Sequence, residues 1–545
     1  MKTNGEGEGQ FASMEWRKRR ANGKECVGPI KCNGPMTNNN LVKQQQQQLL
    51  PNPSLIRRAR FIRRRTTNVY CETLKQLKEQ DAALISQILL IGLKPRSEAS
   101  EFECSCSGSS SSSVIPSVEF ACPSLSSNFL LFPPTLFYPD FMKGTIQRRE
   151  EREAFQVILT NEKGDRKFAF CFKFPRPQIH RGKRGAMHSA DSGIDTLRSI
   201  APFSVLVFVS HYPQEALFHG LAANFVEMLQ NDKSKMTQMS LDLLRLRFTS
   251  GGGTKYANHW SRSNVSTVVE KVGVENVALI FLCLLSERRV IVTGANVRDV
   301  STTVQTFVRL LAPLEWPHTL IPIVPDSQTE LCFNPTPYIC GILRYNLSKI
   351  NELICPERFP KDELFNNDIA LIDVDRGMIV PSISRCSDRR IGLKAILQHS
   401  SSMGFPHSAV CEIVSALKSC LPVRDPEKAD HKIEKKVMIW YAKLFGHYRK
   451  FGQNILSARN RKLFAHAHPC AETRHFLKWF VENGILQSFI FSQFRDDGIT
   501  NTNPFINSCA LLHRFHKILK KYAPPVDGNG NRRRTKSVIW RVFTR

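Results

Sequence analysis

The chain is 545 residues long, enough for several domains with a sizeable buried core. It carries 76 Lys and Arg against 48 Asp and Glu, a formal net charge of +28, and 42% of its residues are hydrophobic. No apolar run reaches the roughly 18 to 20 residues of a membrane-spanning helix. A field this positive favours acidic partners (anionic lipid, nucleic acid or an acidic protein face) without choosing among them.

Residues 1–128 read as a disordered basic, low-complexity tail, with 18 Lys and Arg against 11 Asp and Glu. Asn38 to Asn40 precede a glutamine run at 44–48, and serines crowd 107–113, so little apolar pattern offsets the entropy of ordering. Glu6 and Glu8, with no apolar core segment beside them, argue against a signal peptide. Two islands interrupt the tail. Arg57, Arg58, Arg60, Arg63, Arg64 and Arg65 surround Phe61 and Ile62, and read either as a solvated basic arm or as a patch for nuclear import, RNA or acidic lipid. Residues 70–93 have helical spacing. The 16 cysteines are scattered, lack any Cys-x-x-Cys, and often lie in apolar segments (Cys171, Cys283, Cys340). Such cysteines behave as free thiols of a reducing compartment. The expected place is the cytoplasm, with peripheral attachment to vesicle or endosomal membranes left open.

A first module is expected over 129–235. Residues 152–160 and 166–174 alternate around the turn residues Asn161 to Asp165 and predict a β-hairpin. A basic, irregular loop follows to about residue 199, then a buried strand at 204–210 and an amphipathic helix at 214–229, after Pro213. Residues 236–270 read as a linker. Its Thr249 to Lys255, Thr-Ser-Gly-Gly-Gly-Thr-Lys, lacks the glycine spacing and following helix that a phosphate-binding loop requires.

The next module, 271–400, opens on a helix apolar on all sides, 277–285, that runs into Glu287-Arg288-Arg289 and a β-branched strand at 290–293. Helical spacing returns at 297–311, and strands are predicted at 319–324, 337–342 and 368–373. Strands alternating with helices predict an α/β fold built on a parallel sheet. Residues 401–523 read as helical, with helices at 408–421, 432–456, 469–483 and 507–520. A basic tail, 524–545, closes the chain.

Three blocks in order, LSERRVIV at 285–292, WPHTLIPIVP at 316–325 and NPTPYICG at 334–341, closely resemble the central module of DENN-domain proteins, particularly subgroup two. FQVILTNEKGDRKFAFCFKF and FSVLVFVSHYP resemble the upstream module of that family, and KLFGHYRKF and RHFLKWFVENGILQSFI the downstream one. The resemblance implies a longin-like α+β module, then a parallel-sheet α/β module with a helical C-terminal part. It marks Glu287, Arg288, Arg289, Trp316, His318, Pro322, Pro325, Pro335, Thr336, Pro337 and Gly341 as family-motif residues with structural roles. It further implies a guanine nucleotide exchange factor that promotes GDP release from a Rab-family small GTPase in membrane trafficking. An adaptor that binds a GTPase or membrane without exchange is the alternative, since fold does not fix function. A nucleic-acid-binding protein is disfavoured, because no reading motif accompanies the charge.

Covalent chemistry finds no support in the sequence. Gly-x-Ser-x-Gly and His-Glu-x-x-His are absent. His466, His468 and Cys470 could ligate a metal but lack a fourth ligand at a recognisable spacing. Glu287 is expected to pair with a guanidinium where the buried helix meets the sheet. No catalytic, metal or cofactor residue is expected, and the motifs name no GTPase-contacting residue.

Overall fold

In this computed structural model the described residues are 84–96, 114–123, 132–141, 152–160, 166–175, 203–211, 215–231, 236–245, 265–350, 353, 369–380, 393–452, 455, 457–493 and 506–526. All lie within one compact unit, Arg65 to Arg545. The chain is a mixed α/β protein.

The first sheet contains β1 (Gln87–Pro95), β2 (Val114–Cys122), β3 (Glu153–Thr160), β4 (Arg166–Pro175) and β5 (Phe203–Ser210). Their order is β2-β1-β5-β4-β3, and every pairing is antiparallel. The predicted hairpin is β3–β4, in register from Thr160 opposite Arg166 to Glu153 opposite Lys173. The predicted buried strand is β5, buried along its whole length. The turn at 161–165 and the basic loop at 176–200 lie outside the described residues.

β1 and β2 correct the sequence reading, because both fall inside the stretch read as a disordered tail, and β1 occupies part of the predicted helix at 70–93. The run Ile88-Leu89-Leu90-Ile91 is too short for periodicity to separate a strand from a helix. Its position decides the matter: β1 pairs with β2 and β5 and has both faces covered, Ile88 in one core and Leu89 and Ile91 in the other, which suits a continuous apolar run. The folded body therefore begins no later than residue 84, and a fragment started at 129 would remove two strands. The arginine island and the rest of 1–83 lie outside the described residues, as does the segment 249–255.

Alternation divides the first sheet into two apolar faces. Ile88, Phe170, Phe172, Leu206 and Phe208 face α1 (Glu215–Asn231) and α2 (Met236–Leu244), with Phe218 stacked on Phe170 at 4.3 Å. Leu89, Ile91, Phe155, Val157, Cys171, Val205 and Val207 join the core of the following module instead. The predicted linker is thus partly folded: α2 covers the first sheet, and Val265, Val268, Val269 and Val272 of α3 (Val265–Val272) enter the shared core.

The second sheet contains β6 (Arg289–Gly294), β7 (Thr319–Ile321), β8 (Tyr338–Leu343), β9 (Ile369–Asp373) and β10 (Met378–Val380), ordered β10-β9-β6-β8-β7. The pairs β6–β8, β6–β9 and β7–β8 are parallel, and β10 returns antiparallel to β9. The helix read as apolar all round is α4 (Val274–Leu285), in which every residue except Glu275 is buried. The next helix, α5 (Val297–Leu310), buries the stripe Val297, Val300, Val304, Phe307 and Leu310.

Among the described residues seven helices follow: α6 (Leu393–Ser402), α7 (His407–Lys418), α8 (Pro426–Phe445), α9 (Ala458–Ala467), α10 (Ala471–Phe480), α11 (Gly484–Gln493) and α12 (Ile506–Tyr522). α8 starts six residues before the predicted 432, where Asp425 caps the Lys428 amide at 3.2 Å and Pro426 occupies the first turn. It stops at Phe445, not 456. A β-carbon at Gly446 would meet Leu519 of α12 at 2.8 Å, and the chain then tightens into a 3-10 turn, Gly446–Lys450. Phe281 of α4 meets Trp440 and Tyr441 of α8 at 5.6 and 6.0 Å, so α4 lies between the second sheet and the helical part.

His447 gives this helical part a pH dependence. It is 2% exposed, stacks on Phe464 at 4.3 Å and bonds the Phe464 carbonyl through Nε2 at 3.0 Å. Burial, then His468, pushes its pKa down to about 3. The unfolded chain, with an ordinary imidazole near 6.5, takes up a proton between these values that the folded chain refuses. Stability is therefore complete above pH 6.5 and falls as pH drops, by about 2 kcal/mol at pH 5. Urea unfolding at pH 7 and pH 5 should show this loss, and His447→Phe should flatten it.

Candidate functional site

The seam between the two sheets is built from contacts that are remote in sequence. The Ser301 hydroxyl of α5 accepts the Gln156 amide at 3.3 Å and donates to the Gln156 carbonyl at 3.2 Å, tying α5 to the edge strand β3. Arg166, at the start of β4, donates to the carbonyls of Trp316 (3.3 Å) and His318 (2.7 Å). The Asp326 amide donates to the Pro139 carbonyl at 3.1 Å.

A buried polar cluster lies beside this last contact. Lys173 and Asp140 pair at 2.7 Å with side chains 4% exposed, and the ammonium also sits 4.9 Å from the Tyr138 ring. Such a pair adds little net stability, but removing one partner strands a buried charge. Asp326 accepts from the Tyr345 hydroxyl and the Asn346 amide, both at 2.6 Å, while Lys349 donates to its carbonyl at 2.9 Å. Burial and the carboxylates of Asp326 and Asp140 push the Tyr345 hydroxyl well up, so it remains a donor.

The motif residues separate into two groups. Glu287 belongs to the architectural one and is the only non-glycine residue with positive φ (54°) among the described residues. Its Oε1 lies 3.0 Å from the His318 imidazole and accepts the Ile485 amide at 2.8 Å. The carboxylate thus sits at the N-terminus of α11, where a negative charge is favoured. The His318 imidazole and the Ile485 amide are thus two of the partners that hold this carboxylate where the buried helix meets the sheet. Trp316, 2% exposed, donates to the Thr319 carbonyl at 3.0 Å and meets the His318 ring edge-on at 5.0 Å. Arg288 and Arg289 are half-buried; the Arg288 amide closes on the Cys283 carbonyl, and Arg289 opens β6 opposite Ile369. Pro322 and Pro325 are buried, and the Val324 amide donates to the Gly341 carbonyl at 2.7 Å.

The other group reaches the surface. Pro335 and Thr336 are exposed and Pro337 half-buried, in a turn where Asn334 Oδ1 accepts the Thr336 amide and hydroxyl at 2.9 and 2.8 Å. Just before this turn, the 3-10 segment Thr329–Phe333 leaves Leu331 40% and Phe333 41% exposed while burying Cys332 between them. It packs against the turn Arg344–Ile350, whose Tyr345 is 39% exposed. Leu331, Phe333 and Tyr345 are thus three exposed side chains on two packed segments, an apolar rim in which Asp326 holds the Tyr345 hydroxyl. Sequence reasoning passed over all three; the only available signal was an alternating Leu331-Cys332-Phe333 in a polar turn.

His468, one of the candidate metal ligands, is 1% exposed. Its Nδ1 accepts the Cys470 amide at 3.1 Å, and its Nε2 faces the Lys443 carbonyl at 3.1 Å. Both nitrogens are therefore occupied within the fold, while His466 is exposed. Among the described residues no group of three or more His, Cys, Asp or Glu is arranged to hold a metal.

Comparison with known proteins places this seam in context. Residues 248–375 match the DENN (AEX-3) domain family. Over 369 residues the chain is 22% identical to human DENN domain-containing protein 2A, a match covering 66% of this chain and 34% of that protein. Human DENN domain-containing protein 2B is 24% identical over 372 residues, covering 66% and 30%. Human DENN domain-containing protein 2D is 22% identical over 376 residues, covering 66% and 71%. The match spans about a third of the length of the 2A and 2B proteins.

Proposed function

We propose that this chain, whose residues 248–375 match the DENN (AEX-3) domain family, binds a Rab-family small GTPase and promotes release of its GDP. Proteins of this family generally act on Rab GTPases, and the DENN match at 248–375 is the observation that carries the reading. In this reading the first sheet with α1 is the longin-like module, and the GTPase docks along the seam it forms with the second sheet. Exchange requires no covalent step. The factor binds the nucleotide-free GTPase more tightly than the loaded one, and that difference drives nucleotide out. A rim of exposed Leu331, Phe333 and Tyr345 on a rigid support suits such work, since interface cores favour aromatic and apolar anchors.

The test is nucleotide-dependent capture. Capture of the Rab by immobilised full-length protein should fall as GDP or GTP is added, because nucleotide and exchange factor oppose one another. Leu331→Asp with Phe333→Asp should reduce capture at least about tenfold, the scale of losing one hot-spot contact. The melting midpoint should stay in place, since both side chains are exposed. Capture that is equal in every nucleotide state would leave the adaptor reading, with binding but no exchange.

A further inference from the structure

None of the charged groups at the seam accounts for a cationic surface on the helical part. α12 contains no Asp or Glu, and its outward positions His513, Lys517, Lys520 and Lys521 are exposed at helical spacing. α9 also lacks acidic residues and exposes Arg459, Lys462 and His466 around Leu463. At 50%, Leu463 is the most exposed large apolar side chain among the described residues. Both helices pack on the same turn, Gly446–Lys450. Phe464 of α9 stacks on His447, and Leu519 of α12 lies over Gly446 at a distance that leaves no room for a side chain. Arg449 of that turn is exposed as well. Their charges are felt mutually: burial first, then Arg449, His513 and Lys520, holds His516 below its ordinary value.

We propose that α9, α12 and the turn between them form a docking face for an anionic lipid bilayer, with Leu463 inserted among the acyl chains and the flanking cations on the headgroups. Arg459, Lys462, Lys517 and Lys520 make no ion pair among the described residues, so their charge is available to a partner. The chain's own tails do not fit as occupants: 524–545 holds six Lys and Arg against one Asp, and 1–128 is also net positive. A half-exposed leucine set in a basic helix face is the pattern of an interfacial helix, where apolar burial and headgroup attraction act together. Single-stranded nucleic acid would instead favour exposed rings to stack on bases; Phe464 and Phe515 of these helices are fully buried and Tyr522 is half-buried. Attachment is peripheral, since no described helix is long and apolar enough to cross a membrane.

The test uses the full chain with vesicles of phosphatidylcholine alone and of phosphatidylcholine with phosphatidylserine. Co-sedimentation should require phosphatidylserine, and Lys517→Gln, Lys520→Gln and Lys521→Gln together should weaken it at least about tenfold, as the loss of three surface cations predicts. The fluorescence of Leu463→Trp should shift to the blue on phosphatidylserine vesicles by more than that of the parent chain, whose basic tails carry Trp16 and Trp540. A Leu463→Trp emission that shifts no more than the parent's, or vesicle binding untouched by the triple variant, would overturn the proposal and assign any lipid affinity to the tails. Binding of single-stranded RNA that the triple variant abolishes, with no vesicle binding by the parent chain, would overturn it in favour of nucleic acid.

Discussion

Leu282→Asp is expected to unfold the α/β part of the molecule. Leu282 is fully buried in α4, a helix with Glu275 as its sole residue outside the core, so the new carboxyl has no face to turn toward water. β6 and α5 pack on one side of this helix and the aromatic face of α8 on another. The variant loses the apolar contacts of leucine and buries a polar group without a partner; the two costs together come to several kcal/mol. Whole domains hold only about 5 to 15 kcal/mol. Circular dichroism melting should show a loss of the cooperative transition or a fall in its midpoint by many degrees. Leu463→Asp, at the half-exposed position, should change stability by no more than about 0.5 kcal/mol.

Gly341→Val should be nearly as severe, for a different reason. A β-carbon at residue 341 would lie 2.3 Å from the carbonyl oxygen of Pro322 and 2.5 Å from Cγ1 of Val300. The first of these neighbours is backbone, held in place because the Val324 amide donates to the Gly341 carbonyl. β8 sits between β6 and β7, so relieving the clash breaks a parallel ladder. A cost of about 3 kcal/mol or more is expected, the upper range for overpacking. The pair Gly341→Ala with Val300→Ala separates the two contacts. It removes the side-chain clash but not the backbone one, so it should recover only part of the stability. Full recovery would show that Pro322 yields readily.

Why Gly341 is glycine follows from this close approach, which the sequence motif signals but does not explain. Much of the α/β part was legible because its elements declare themselves locally. α4 is apolar on every side, α5 carries a clean stripe, and the hairpin β3–β4 alternates on both strands. β1 was misread because four apolar residues beside a low-complexity stretch look alike as helix or strand until β2 and β5 are in place. α9 and α11 were missed as separate helices, since their aromatic-rich neighbours dominate the local pattern. The seam was beyond reach of local reasoning. Arg166 meets Trp316 and His318 across about 150 residues of sequence, and Ser301 meets Gln156 across 145. Neither contact leaves a periodic trace, and the rim of Leu331, Phe333 and Tyr345 stands out only when burial is known.

The central claim, that this protein drives nucleotide off a Rab, is tested most directly by the release of fluorescent GDP. Each member of a Rab panel is loaded with labelled GDP, and its release is followed after adding the full chain with excess unlabelled nucleotide. Acceleration of release from at least one Rab is predicted, with Leu331→Asp and Phe333→Asp together abolishing most of it. Unchanged release from every Rab, alongside binding that ignores nucleotide state, would contradict the exchange account and leave a protein that binds its GTPase without opening it.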